Sequence, residues 1–162
     1  MNHKLDETDR RIIDLLLCDG RMSCARIARM LGGDVSERVV RYRIERLRRS
    51  GIVRIGAVVN PQAVGFPVMA DVLIEVAPGR LRTLAEQLSL LENISYVAAS
   101  AGDGDLSIQV YARDNAELSR FVDEVVGRLD GVVRTRTAVV PWKLKDVYQW
   151  QIPPSAEEGA MP

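Results

Sequence analysis

Six arginines stand between Ser36 and Gly51, at positions 38, 41, 43, 46, 48 and 49, against two glutamates, Glu37 and Glu45. A planar guanidinium presents a fork of donors that matches phosphate oxygens or the O6/N7 edge of guanine, so nucleic-acid binding is chemistry this run could perform. The plainer alternative is the solvated face of a surface helix, the usual fate of a charge run. An imbalance of six to two favours the polyanion. Elsewhere the side chains of catalysis are sparse. The single histidine is His3, Cys18 and Cys24 lie outside C-x-x-C spacing, and no Ser-His-Asp, Cys-His or metal-ligand set is apparent. Neither a catalytic residue, a metal nor a cofactor is expected, and the two thiols read as small half-buried residues rather than a redox switch.

The whole-chain charge is zero, but the average conceals an asymmetry. Residues 1 to 60 hold thirteen Lys and Arg against eight Asp and Glu, a balance of +5, and the remainder is correspondingly −5. All but one of those thirteen are arginine. Two halves of opposite charge imply two partners. The opening residues, Met1 to Arg11, are charged rather than apolar, and no run approaches about 18 uninterrupted apolar residues. A cytoplasmic protein without a membrane span is the expectation.

The arginines need elements to hold them. Asp6 can cap a first helix, with Asp9 at its third position and Ile12, Ile13, Leu16 and Leu17 behind, closed by Gly20. Ser23 can cap a second, short helix carrying Ile27, Ala28 and Leu31 before Gly32 and Gly33 break it. A third helix follows, capped by Asp34 with Glu37 in capping-box spacing or by Ser36, and striped by Val40, Ile44 and Leu47 until Gly51. The stripe buries one side; Arg38, Arg41, Tyr42, Glu45 and Arg49 project from the other, flanked by Arg46 and Arg48. A short helix, a glycine turn and an arginine-studded second helix form the helix-turn-helix pattern, whose second helix enters the major groove. Its N-terminal half, with Arg38, Arg41 and Tyr42, is expected at the bases. Ser36, Arg46, Arg49 and Arg54 are expected at phosphates. Ile52 to Asn60, interrupted by Gly56, suits the hairpin of a wing.

The pattern then changes. Residues 61–67 carry two prolines and a glycine and read as a linker, after which Val68, Ala70, Val72, Ile74 and Val76 alternate at the period of a strand. Leu81, Leu84, Leu88 and Leu91 mark a helix, Ile94 to Ala101 a strand, Leu106, Ile108 and Val110 another, Leu118, Phe121, Val122, Val125 and Leu129 a helix, and Val132 to Val140 a last strand. The order βαββαβ is ferredoxin-like. The fold class is therefore α+β: a winged helix-turn-helix over residues 1–60, a linker over 61–67, a ferredoxin-like domain over 68–152 and a disordered tail over 153–162. Such a sheet has helices on one face only. Met69, Leu73, Tyr96, Tyr111, Val133 and Val139 are expected on the other, where a second copy would cover them. Trp142, Tyr148 and Trp150 read as packing residues of a terminal strand.

The chain resembles the Lrp/AsnC (leucine-responsive, feast/famine) regulators over nearly all of residues 5 to 150. The likeness rests on Leu5-Asp6-Glu7-Thr8-Asp9 with Ile12, on Gly20-Arg21-Met22-Ser23, on Val40 to Leu47 with Gly51-Ile52, and on Ala57-Val58-Val59-Asn60-Pro61 with Gly65. The resemblance implies a regulator of transcription that binds double-stranded DNA and carries a RAM-type second domain. It implies a homodimer, often assembled into tetramers or octamers, with an amino acid bound between dimers that alters assembly or affinity.

The effector region that the resemblance implies is the turn Ala101-Gly102-Asp103-Gly104-Asp105 with Thr135 and Thr137 on the last strand. Glycines let backbone N–H groups approach a carboxylate, Asp103 or Asp105 can pair with an ammonium, and the two threonines share a strand face. From composition alone, a tight turn would account for the glycines and aspartates as well. Gly104 replaces the family's usual aromatic, which implies a roomier pocket and a bulkier or unusual effector. The turn Gly32-Gly33-Asp34-Val35 is about two residues longer than the family's. A sirohaem-decarboxylase-like enzyme is the rival of the same architecture, but it would need histidines that residues 5 to 150 lack. A ligand-binding module without DNA binding is the third reading, opposed by the arginines.

Overall fold

A computed structural model describes residues 5–100, 102 and 104–153. Contacts divide the chain into two units, one formed by the residues up to Val58 together with those from Leu144 onward, the other by Val59–Lys143. The boundary differs from a plain cut near residue 60. Pro61–Phe66 belongs with the second unit, where the turn around the 3-10 segment Gln62–Val64 closes through Phe66 N donating to Pro61 O at 2.9 Å. Residues from Leu144 onward group with the first unit, and Ile152 packs on its core.

The first unit is three helices, α1 (Glu7–Cys18), α2 (Cys24–Leu31) and α3 (Glu37–Arg49). Each begins at a side chain that accepts from an otherwise orphaned helix N–H: Asp6 in a reciprocal capping box with Asp9, Ser23 from Arg26 N, and Ser36 from Val39 N at 3.3 Å. Ser36, not Asp34, is therefore the α3 cap. Ile12, Ile13, Leu16, Ile27, Val40 and Leu47 form the core. The α2–α3 turn passes through Gly32 and Gly33 at φ +70° and +63°, a left-handed pair that side chains resist. The guanidinium of Arg11 donates to Met30 O and Leu31 O and so satisfies carbonyls at the end of α2.

The hairpin expected over Ile52 to Asn60 is absent: no strand is assigned there among the described residues. Ile52 and Val53 instead donate their N–H groups to Leu47 O, folding the chain back on the end of α3. Gly56 lacks the positive φ that a tight hairpin turn would use, so the nine residues stay a single run. The terminal strand expected for the aromatics is absent too. A 3-10 turn, Val147–Gln149, stands in its place, with Trp142, Tyr148 and Trp150 exposed. Tyr148 and Trp150 line a groove of about 430 Å³ with Leu17, Ile52, Ile55 and Val58. Cys18 is exposed and Cys24 half-buried, and both are free thiols.

The second unit is an antiparallel sheet of β1 (Val68–Val76), β2 (Ile94–Ala99), β3 (Leu106–Ala112) and β4 (Val132–Val139), in the order β2-β3-β1-β4, with α4 (Leu81–Leu88) and α5 (Asn115–Arg120) in the two crossovers. Beyond α5 the helix loosens into a π turn, Phe121–Val125, and a 3-10 turn, Val126–Arg128. Ala70, Val72, Ile74, Ile108 and Val110 pack against Leu84, Leu88, Leu118, Val122 and Val126. This is the ferredoxin-like arrangement of an α+β chain. Register corrects the open face in two places. Val139 pairs with Ala70 and lies on the helix side, and Val133 is the extra residue of a bulge opposite Glu75 and Val76. The open face carries Met69, Asp71, Leu73 and Glu75 beside Tyr96, Gln109, Tyr111, Arg134 and Arg136.

Candidate nucleic-acid interface and effector turn

The period of α3 separates its arginines into two sets. At 100° per residue, Arg38, Arg41, Glu45 and Arg49 fall within an arc of about 80°, while Val40 and Leu47 point the opposite way. The three arginines of the arc are exposed, Glu45 is half-buried, and Tyr42 on the flank is 67% exposed. Charge on this arc is partly tied down. Arg41 pairs with Glu37, and Arg48 and Arg49 both reach Glu45, at 3.1 and 3.3 Å. These are surface pairs that exchange partners at little cost. Arg38 has no ion pair or hydrogen bond among the described residues, and Arg54 is likewise exposed and unpaired. A helix face with free and loosely held guanidiniums, begun by a capped N-terminus, can take up phosphates and reach base edges.

Arg46, expected among the phosphate contacts, is placed differently. Its Nη2 donates to Asp9 Oδ2 at 2.5 Å, and Asp9 is a carboxylate only 1% exposed in the first turn of α1. Arg43 donates through Nη1 to Asp9 Oδ1 at 2.8 Å and to Asp6 Oδ2 at 2.6 Å. The hydrogen bond from Arg43 holds the Asp6 carboxyl below the usual carboxylate range, and the two acids in turn raise the pKa of Arg43. The pairing of Asp9 with Arg43 is not evident from either residue's type alone. The signal was there: Asp9 precedes Ile12, Ile13 and Leu16 at i, i+3, i+4 and i+7, a charge at a stripe position, and Arg43 lies inside the stripe of Val40, Ile44 and Leu47.

In the second unit, Gly104 and Asp105 join the turn to the centre of the sheet. Asp105 N donates to Ile74 O at 2.9 Å, Val76 N donates to Asp105 Oδ2 at 2.7 Å, and the Ser100 hydroxyl donates to Gly104 O at 2.7 Å. The Asp105 carboxylate thus already serves the backbone of β1. Gly102 has φ +138°, a value glycine favours, whereas Asp103 lies outside the described residues. A side chain at Gly104 would begin 3.4 Å from Leu73 Cβ and 3.5 Å from Ile74 O. Thr135 pairs with Ile74 and Thr137 with Val72, so the threonines share a face. Leu106, which follows the turn, pairs with Ile74 from the other side, which separates the turn from Thr135 by about two strand spacings, roughly 10 Å. Thr135 is half-buried and Thr137 exposed. No helix is long and apolar enough to cross a membrane, and no cluster that could hold a metal occurs, among the described residues.

Comparison with known proteins agrees with both units. The AsnC-type helix-turn-helix domain matches residues 5–48, and the Lrp/AsnC ligand binding domain matches residues 69–149. An HTH-type transcriptional regulator of Pyrococcus abyssi, FL11, is 37% identical over 141 residues, covering 86% of this chain and 91% of the relative. AsnC of E. coli has the same fold with a TM-score of 0.81 at 21% identity, covering 89% of this chain and 97% of its own. A transcriptional regulator of Neisseria meningitidis, solved in complex with L-methionine, also reaches 0.81, at 22% identity and covering 88% and 94% of the two chains. The relatives are regulators, which disfavours the decarboxylase reading. With a matching domain at each end and relatives aligned across most of its length, the chain belongs to the Lrp/AsnC family of helix-turn-helix transcriptional regulators.

Proposed function

We propose that the chain acts as a homodimer on double-stranded DNA, laying α3 in the major groove, with a small metabolite, an amino acid by class, setting its assembly or affinity. The observation that carries the DNA half is the outward arc of α3, where Arg38 is unpaired and Tyr42 stands clear of the protein. Arg38, Arg41 and Tyr42 read bases; Ser36 and the free N–H groups at the start of α3, with Arg49 and Arg54, position the backbone. A two-fold pair of such helices suits a pseudo-palindromic site with half-sites one helical turn apart. The open face of the sheet supplies the dimer contact, and dimers join further into tetramers or octamers.

The effector lies beside the turn of Gly102, Asp103, Gly104 and Asp105, facing Thr135 and Thr137. Backbone N–H groups of the turn receive the carboxylate, and the threonine hydroxyls bound the other side. The methionine complex of the Neisseria relative supports an amino acid as the class. Gly104 leaves room that an aromatic would fill, so larger side chains are preferred. The protein works without catalysis and in the cytoplasm, where its DNA is. Isothermal titration with each common amino acid tests the effector: the expected result is tightest binding by a bulky side chain, and indifference to side-chain size contradicts it. Selection of duplexes from random DNA, with and without the best ligand, tests the coupling.

A further inference from the structure

Asp9 is the only buried charged side chain among the described residues, and it accepts from two arginines on successive turns of the DNA-reading helix. Arg43 and Arg46 are i and i+3, so they leave α3 on one side, turned roughly 100° or more from the middle of the exposed arc. Their side chains are 22% and 35% exposed, against 71% for Arg41 and 79% for Arg49. Asp6 completes the set through Arg43, giving two acids of α1 and its cap against two bases of α3. The Nε of Arg46 is buried with no hydrogen-bond partner in the structure, so this side chain is held from its far end alone. An arginine reaching for a phosphate would not be packed that way.

We propose that Asp9 is a positioning residue for DNA reading: through Arg43 and Arg46 it fixes the rotation of α3 about its axis, and these two arginines act on recognition without touching nucleic acid. The apolar contacts of Val40 and Leu47 hold α3 down, but burial is non-directional and tolerates rotation. Two charge-assisted hydrogen bonds to the two oxygens of one carboxylate do not. At a helix radius of about 5 to 6 Å, a rotation of about 20° carries a surface atom about 2 Å, enough to break a hydrogen bond to a base. The clamp therefore converts a part-buried ion-pair geometry, centred on the buried Asp9, into register on the DNA. It rests on the assignment of α3 to the major groove.

The test is the salt dependence of specific and non-specific DNA binding by Asp9→Asn, Arg46→Gln and the doubly neutral Asp9→Asn/Arg46→Gln protein, with Arg38→Ala as comparator. The double variant leaves no unpaired member of the Asp9–Arg46 pair, and thermal melting establishes that each variant is folded at the assay temperature. The expected result is a loss of about tenfold or more in affinity for the selected site, with the slope of log K against log salt unchanged and non-specific binding unchanged. Asp9→Asn is the sharpest arm, because deleting a negative charge would by electrostatics alone tighten binding to a polyanion. Tighter binding by it, or a fall of about 0.9 in the slope for Arg46→Gln, overturns the clamp, the latter by making Arg46 a phosphate contact. If Arg38→Ala weakens specific binding while the clamp variants do not, the clamp alone is wrong. If Arg38→Ala is also without effect, the placement of α3 on DNA is wrong as well.

Discussion

The arginines of α3 differ in what each is free to do, and that difference is set by partners rather than by residue type. Arg38 faces solvent unpaired, Arg41, Arg48 and Arg49 are held by the glutamates of their own helix, and Arg43 and Arg46 are spent on Asp6 and Asp9. Substituting Arg38 by Ala should cost about 1–3 kcal/mol against the selected site and relax preference at one base position, as read by a mobility shift over a set of single-base variants. A uniform loss across sequences would make Arg38 a phosphate contact instead. The Asp6 carboxyl has a pKa depressed by the hydrogen bond from Arg43, so it binds a proton more readily in the unfolded chain than in the folded one. Its contribution to stability is present above the ordinary carboxylate range and is lost as pH falls below about 4, through the depressed value. Urea melts between pH 6 and pH 2 should show this loss, and Asp6→Asn should remain flatter over the same window.

Elements were legible where pattern and cap agreed. The three helices of the first unit follow from Asp6, Ser23 and Ser36 with apolar residues at helical spacing, and the sheet follows from the alternation along β1 and β3. What escaped the sequence was of a different kind. A β-rich run suggests the wing, but a hairpin requires two runs and a turn, and propensity at Ile52, Val53 and Ile55 does not determine whether a partner strand exists. Val139 went to the wrong face because alternation does not show which residue of the neighbouring strand it meets, and the bulge at Val133 shifts the count. The Asp9 clamp was missed because a charge within an apolar stripe looks like noise until its partners are seen. The α2–α3 turn takes a positive φ at both of its glycines, Gly32 and Gly33. Gly33→Ala, with nothing near the position to clash, should lose about 1 kcal/mol in thermal or chemical denaturation from backbone strain alone. No change would mean that the turn relaxes to another conformation.

At the scale of the whole molecule, the basic first unit suits a polyanion, and the proposed self-association falls to the acidic second unit. The open face of the sheet mixes Met69, Leu73, Tyr96 and Tyr111 with Asp71, Glu75, Arg134 and Arg136, a composition that suits an interface with both burial and charge pairing. Leu73→Asp should shift the protein toward monomer in sedimentation or light scattering and weaken DNA binding in proportion, since two recognition helices would no longer be delivered together. Unchanged assembly would place the dimer contact elsewhere. The central claim, that the outward arc of α3 is the DNA-reading surface, is tested most directly by selecting duplexes from random DNA with the unaltered protein and with an Arg38→Ala/Tyr42→Ala variant. The unaltered protein should enrich a pseudo-palindromic sequence, and the variant, equally folded and equally assembled, should enrich none. Recovery of the same sequence by both proteins would take α3 off the DNA.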